Sequence, residues 1–369
     1  MPKASETVLE IDLNALKHNF NFIKSRLHTN TKILAVVKAF AYGSDPTVIS
    51  KFLEDLGVDY FAVAYVNEGA ALRDAGITTP ILVLHPQPIN FKTLIDRCLE
   101  PSLYSPKILN EFIQVAEQKN QKDYPVHIKF NTGLNRLGFW ENDVDYIHSK
   151  LSETSAIKVK SLFSHLAASE DNNEKVFTTH QISNFKQISE EFSNKFGYQP
   201  MLHLTNTSGI LNYPEAHLDM VRTGIGLYGF GNSSEIDALL KPVATLKSII
   251  SQIHMIEKDE TVGYNRAFKS PGFGKTATIP IGHADGIGRQ YGNQNGYVMI
   301  HNQKAPIIGN VCMDMIMVDI TNIECSEGDE VVIFGQNPSA VDFAESAHTI
   351  SYEILTAISQ RVKRIYLNS

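Results

Sequence analysis

Five polar residues fall just past apolar, strand-like runs: Lys38, Lys129, His165, Asn206 and Arg222. Singly, a lysine or arginine in such a place is a solvated rim residue, and a histidine is a satisfied core group. Five such residues at one mouth point to a site. Lys38 carries the sharpest chemistry. Inside ILAVVKAFAYG its ammonium is expected to be desolvated, which lowers a lysine pKa and makes the amine a nucleophile able to form an imine. Two turns, Thr207-Ser208-Gly209 and Thr223-Gly224-Ile225-Gly226, follow the last two runs. Such turns can aim backbone N–H groups at a phosphate, with glycine allowing close approach. Alone, each is an ordinary turn. A phosphorylated aldehyde bound as an imine accounts for both features at once.

The elements that must position these residues repeat one pattern. Runs rich in Val, Ile and Leu begin near Lys32, Tyr60, Pro80, Leu99, Val126, Lys160, Met201 and Asp219, each followed by a turn and an amphipathic stretch. The opening helix carries Leu13, Leu16, Phe20, Ile23 and Leu27 on one face. Asp45-Pro46 reads as a helix cap with proline at the first helical position, and Asn67 as the cap of the next helix. Eight near-continuous apolar strands alternating with helices predict an α/β fold, a parallel (β/α)8 barrel, with catalytic groups at the C-terminal ends of its strands. An open doubly wound sheet is the rival, but no GxGxxG turn opens the first helix. Later, TATIPIGHA, GYVMIHN, APIIGNV and EVVIFGQ lie between turn signals, with a helical segment near Asp342–Ser359 and a final strand RIYLN. We expect a barrel over residues 1–236 and a mostly β domain over 237–369.

A chain of 369 residues is long enough for two cores, and 43% hydrophobic with 20% charged residues describes a globular protein. The net charge of −7 argues against nucleic acid as a partner. No apolar run approaches a membrane span, and the first residues have no signal-peptide pattern. Cys98, Cys312 and Cys325 are scattered, so a reducing, cytoplasmic location is expected and no metal site.

The stretch VVKAFAYGSD around Lys38 resembles the pyridoxal 5′-phosphate (PLP) attachment signature of alanine racemases. The resemblance continues through LEIDLNALKHN, IKFNTGLNRLGF, VRTGIGLYGF, VGYNRAF, IGHADGIGR, GNVCMDM and TISYEILTAISQRVKR. It implies that Lys38 carries PLP as an imine and serves as one acid/base. Tyr42, Thr207, Gly224, Ile225 and Tyr352 would hold the phosphate, with Asn206 beside it. Arg136 would reach the cofactor's phenolic oxygen and the substrate carboxylate, while His165 stacks on the ring. Arg222, positioned by His203, would face the pyridine nitrogen, and Lys129 in many relatives is carbamylated. Tyr264 would be the second acid/base, and the Met313 N–H would meet the substrate carboxylate. In this family those last two reach the barrel mouth of the other subunit, so the active unit would be a homodimer with shared sites. A tyrosine acting as base needs nearby positive charge, which the His165 and Arg222 side is expected to supply. The implied reaction interconverts L- and D-alanine by two-base proton transfer on an external aldimine, supplying D-alanine for cell-wall peptidoglycan.

Several positions depart from the family pattern. Phe40 stands for Asn, Ser44-Asp45 for His-Gly, His283 for Tyr, Ile287-Gly288 for Tyr-Pro, Asn310 for Arg and Asn131 for Asp. Those after residue 280 belong to the route by which substrate enters, so a broader-specificity or serine racemase is the alternative. Against a decarboxylase or aldolase of the same fold, the Tyr264 and Met313 motifs favour racemisation, and a decarboxylase is expected to have a differently equipped second domain. A non-enzymatic PLP carrier lacks the second domain.

Overall fold

The computed structural model describes residues 4–231 and 233–367. After β1 (Val8–Asp12) come β2 (Lys32–Val36), β3 (Tyr60–Val63), β4 (Ile81–Val83), β5 (Glu100–Leu103), β6 (Tyr124–Lys129), β7 (Ile157–Phe163), β8 (Met201–His203) and β9 (Met220–Thr223). Strands β2 to β9 are parallel and close into a barrel, sealed where Leu34 of β2 lies opposite Arg222 of β9. All eight coincide with the apolar runs in the sequence. The helix Leu13–Ser25 buries Leu13, Leu16, Phe20 and Ile23, while Leu27, past its end, is half-buried.

The Asp45 side chain accepts from the Thr47 and Val48 N–H groups, capping the helix Pro46–Asp55 as expected. The cap at Asn67 is a correction. That helix begins at Val66, and Glu68 folds back to accept from the Ala64 and Tyr65 N–H groups. A carboxylate reaching back does here what the asparagine was expected to do.

The second domain follows: β10 (Ala244–Ile249), β11 (Gln252–Ile256), β12 (Thr261–Val262), β13 (Phe268–Lys269), β14 (Gly274–Ile279), β15 (Tyr297–Ile300), β16 (Gln303–Ile308), β17 (Ile316–Asp319), β18 (Glu330–Phe334) and β19 (Lys363–Leu367). The expected helical segment is two short helices, Ala340–Glu345 and Ser351–Ala357. Nine strands make one sheet in the order β11-β14-β17-β16-β15-β18-β10-β1-β19. The barrel therefore does not begin at the start of the chain. β1 leaves it to pair antiparallel with β10 and parallel with β19. Local periodicity identifies a strand but not a partner more than two hundred residues away.

The turn after β2 is unusual. Ala39, Phe40, Ala41 and Tyr42 have φ of 53°, 56°, 49° and 53°, one turn of left-handed helix just after Lys38. For residues other than glycine this costs roughly 1–2 kcal/mol each, so neighbours must hold it. Glu68 accepts from the Ala39 N–H at 2.7 Å, and Arg364 of β19 donates to the Gly43 carbonyl at 2.7 Å.

Candidate active site

A cavity of about 660 Å³ opens at the C-terminal end of the barrel strands. Lys38, Lys129, His165, Asn206 and Arg222 all line it, as the strand ends predict, and Arg136 reaches it from the loop after β6. Leu84, His85 and Phe163 were not anticipated. Phe163 was legible in principle, because it ends β7 two residues after Ser161 and so shares its face of the strand.

The cavity is crowded with cations. Burial and the Arg136 charge lower the Lys38 pKa, while Glu68 opposes them. Burial, with Arg136, Arg222 and Lys38 nearby, brings Lys129 down to about 8. Phe163 relieves part of this, its ring lying 5.7 Å from Lys129 Nζ and 5.5 Å from the Arg222 guanidinium carbon.

Arg222 is buried and fixed from several sides. It donates to the Ser164 and Leu204 carbonyls at 2.7 and 2.9 Å, to His165 Nδ1 at 3.0 Å and to His203 Nδ1 at 2.9 Å. His203 thus lies beneath the cavity rather than in its wall, stacked on Phe163. Burial and Arg222 hold both His165 and His203 well below the ordinary histidine pKa, so both rings are neutral. This corrects one expectation: His165 supplies no positive charge here, which is left to Arg222 and the neighbouring cations Arg136, Lys129 and Lys38.

Tyr42, Thr207, Gly224, Ile225 and Tyr352 line the same cavity. Tyr42 stacks on Tyr228 at 4.6 Å and lies 6.0 Å from the Tyr352 ring. A Cβ on Gly224 would stand 2.2 Å from Tyr42 Oη, so only glycine lets the hydroxyl lie over this backbone. Thr207 Oγ1 accepts from the Gly226 N–H.

Tyr264 and Met313 are not in this cavity. They are 67% and 59% exposed and line a separate concavity of the second domain. The β12–β13 ladder frames the Tyr264 turn, where Gly263, Asn265 and Arg266 all have positive φ. Two departures from the family pattern fall here. Asn310 donates to the Tyr264 carbonyl at 3.0 Å, and the His283 N–H donates to the Cys312 carbonyl at 3.0 Å. Asn131, another departure, is committed to its own loop. It accepts from the Gly133 and Asn135 N–H groups and donates to Asn135 Oδ1.

Two family models match in succession, "Alanine racemase, N-terminal domain" over residues 11–231 and "Alanine racemase, C-terminal domain" over 243–366. The chain belongs to the alanine racemase family. It is 36% identical to the alanine racemase of Methanococcus maripaludis, covering 97% of this chain and 98% of that one. Identity is 38% with the Halothermothrix orenii alanine racemase, over 98% and 97% of the two chains. The alanine racemase of Clostridium difficile superposes with a TM-score of 0.92 at 34% identity, over 99% of this chain and 97% of that one. The alanine racemase of Bartonella henselae, solved with covalently bound pyridoxal phosphate, gives 0.90 at 28%, over 99% and 100%. Both halves of the alanine racemase fold are thus present, the second carrying the exposed Tyr264 and Met313.

Proposed function

We propose that this protein is an alanine racemase that works with PLP bound at Lys38. One observation carries the reading: a half-buried lysine with lowered pKa shares its cavity with a buried guanidinium and a Tyr42–Gly224 anion cradle. The residues fit the cofactor. Tyr42, Thr207, Gly224, Ile225 and Tyr352, with Asn206 beside them, would hold its phosphate, Lys38 its aldehyde carbon and Arg222 its ring nitrogen. When bound, PLP withdraws electrons from the amino acid's α-carbon and makes its proton removable.

The protein's own groups do the rest. Arg136 and the Met313 N–H of the partner subunit bind the substrate carboxylate. Lys38 takes or returns a proton on one face of the α-carbon and Tyr264 of the partner subunit on the other, since one base cannot easily serve both. His165, neutral, packs on the ring. Arg222 keeps its proton and would offer the cofactor's ring nitrogen a hydrogen bond without protonating it, which would weaken the ring as an electron sink. His203 orients Arg222, and Lys129 sets the local charge around Arg136.

A homodimer follows from the same reading. Tyr264 and Met313 are large, exposed apolar groups that lie outside the Lys38 cavity of their own subunit. The division of the chain near residue 236 and a cytoplasmic location belong to the proposal too. Among the described residues, no helix is long and apolar enough to cross a membrane.

The test is purified protein supplied with PLP and either L-alanine or L-serine, with D-isomer formation read by chiral chromatography. We expect D-alanine as the main product. Lys38→Ala should abolish both the visible absorbance of the covalently held cofactor and nearly all turnover. An unchanged absorbance in that variant would remove Lys38 from its role.

A further inference from the structure

The barrel interior beneath Arg222 is polar, which the apolar strand pattern did not lead us to expect. Its arrangement starts from a slip in register. On β6 and β7, Val126 lies opposite Val159 but His127 opposite Ser161, leaving Lys160 as an extra residue. Such a bulge lets two consecutive side chains serve the same side of a strand. Lys160 Nζ reaches Glu100 Oε1 at 3.1 Å, and Ser161 Oγ sits between His127 Nδ1 and His203 Nε2.

The result is an unbroken line of side chains through the barrel. Glu100 Oε2 is 2.7 Å from His127 Nε2, His127 Nδ1 bonds Ser161 Oγ, Ser161 Oγ is 2.9 Å from His203 Nε2, and His203 Nδ1 is 2.9 Å from Arg222 Nη1. His127, Ser161 and His203 are fully buried.

The chemistry of the ends fixes the direction of every link. Arginine can only donate, so His203 Nδ1 accepts. A neutral His203 then carries its proton on Nε2 and donates to Ser161. The hydroxyl donates to His127 Nδ1, and His127 Nε2–H donates to the carboxylate, which only accepts. With both rings singly protonated, any other tautomer of either would set two protons or two lone pairs against each other. Burial alone would raise the Glu100 carboxyl, but the His127 bond and Lys160 hold it below the ordinary value, so it is ionised.

We propose that Glu100 is a positioning residue for Arg222, its charge fixing the tautomer of His127 and, through Ser161, strengthening the bonds by which His203 holds the guanidinium at the cavity. Only the identity of the ring that Arg222 meets rests on the function proposed above. Deleting a link in such a network acts on the links beyond it.

The test uses ¹⁵N-histidine-labelled full-length protein. In the unsubstituted protein, His127 and His203 should both show a protonated Nε2 and a bare Nδ1. Glu100→Gln keeps the shape, removes the charge and can donate as well as accept, so His127 should become a tautomer mixture, while His203, still held by Arg222, keeps its Nε2 proton and shows shifted nitrogen signals. In a Ser161→Ala background, where the line is cut, Glu100→Gln should alter His127 but leave His203 unchanged. With PLP bound, Glu100→Gln should shift the visible absorbance and lower kcat severalfold with KM for alanine unchanged, and Ser161→Ala should erase that difference. An unaltered His203 in Glu100→Gln overturns the proposal. So does a His203 response that persists without Ser161, which would assign the effect to the carboxylate's field rather than the line. The nitrogen spectra need no cofactor, so failure of the racemase reading would not be mistaken for failure of this one.

Discussion

Lys129 sits among three other cations with little exposure to water, and its pKa of about 8 leaves much of it neutral in mildly alkaline solution. The neutral amine adds carbon dioxide to give a carbamate and a proton, turning a repelling charge into an attracting one. Protein equilibrated with labelled bicarbonate should show a carbamate carbon signal that strengthens as pH rises through about 8 and is missing in Lys129→Ala. Added acetate should partly restore that variant's turnover. If no signal appears and acetate rescues nothing, Lys129 is a rim cation only. The depressed pKa also has a sign for stability. Between about 8 and the ordinary lysine value the unfolded chain binds more protons than the folded one, so stability should rise with pH across that window. Denaturant titrations of the wild type and Lys129→Met would show the slope in the first and less of it in the second. Lys38, His165 and Arg222 were legible in sequence because a polar residue ending an apolar run stands out. Glu100, His127 and Ser161 were not, because polar residues within strands read as interruptions until a closed barrel makes them neighbours.

At the scale of elements, the left-handed turn after Lys38 shows how much the surroundings impose. Gly43 has φ +80°, and a Cβ there would stand 2.0 Å from the Leu355 carbonyl oxygen. Gly43→Ala should therefore push the turn away from the helix Ser351–Ala357, lowering the melting temperature and loosening cofactor retention on ultrafiltration. Normal retention would show that the turn does not depend on that helix. Asp45 caps the next helix and also accepts from Tyr366 Oη at 3.0 Å, so Asp45→Ala should cost about 1 kcal/mol, read by calorimetry as a small fall in melting temperature. The barrel strands announced themselves because strands covered on both faces need Val, Ile and Leu. The left-handed turn gave no such sign. Ala39, Phe40 and Ala41 have no preference for positive φ, so the conformation comes from Glu68, Arg364 and Leu355, all distant in sequence.

For the whole molecule, the separation of Lys38 from Tyr264 within one subunit makes a prediction that subunit mixing can check. Lys38→Ala and Tyr264→Phe homodimers should each be nearly inactive. After random exchange of equal amounts, the mixed dimer holds one site with both defects and one with neither, so about a quarter of wild-type activity should return. No recovery after proven exchange would place both groups in the same subunit. The joining of β1 to β10 and β19 has another consequence, for the order in which the chain is made. Everything the barrel needs, residues 32–223, has left the ribosome while Val8–Asp12 still lacks a partner, since β10 begins only at Ala244 and β19 at Lys363. Between the emergence of Thr223 and that of Ala244 the nascent protein thus carries an unpaired strand beside a barrel already able to close. When β10 arrives, Glu10 of that strand meets Lys247 in an ion pair at 3.0 Å.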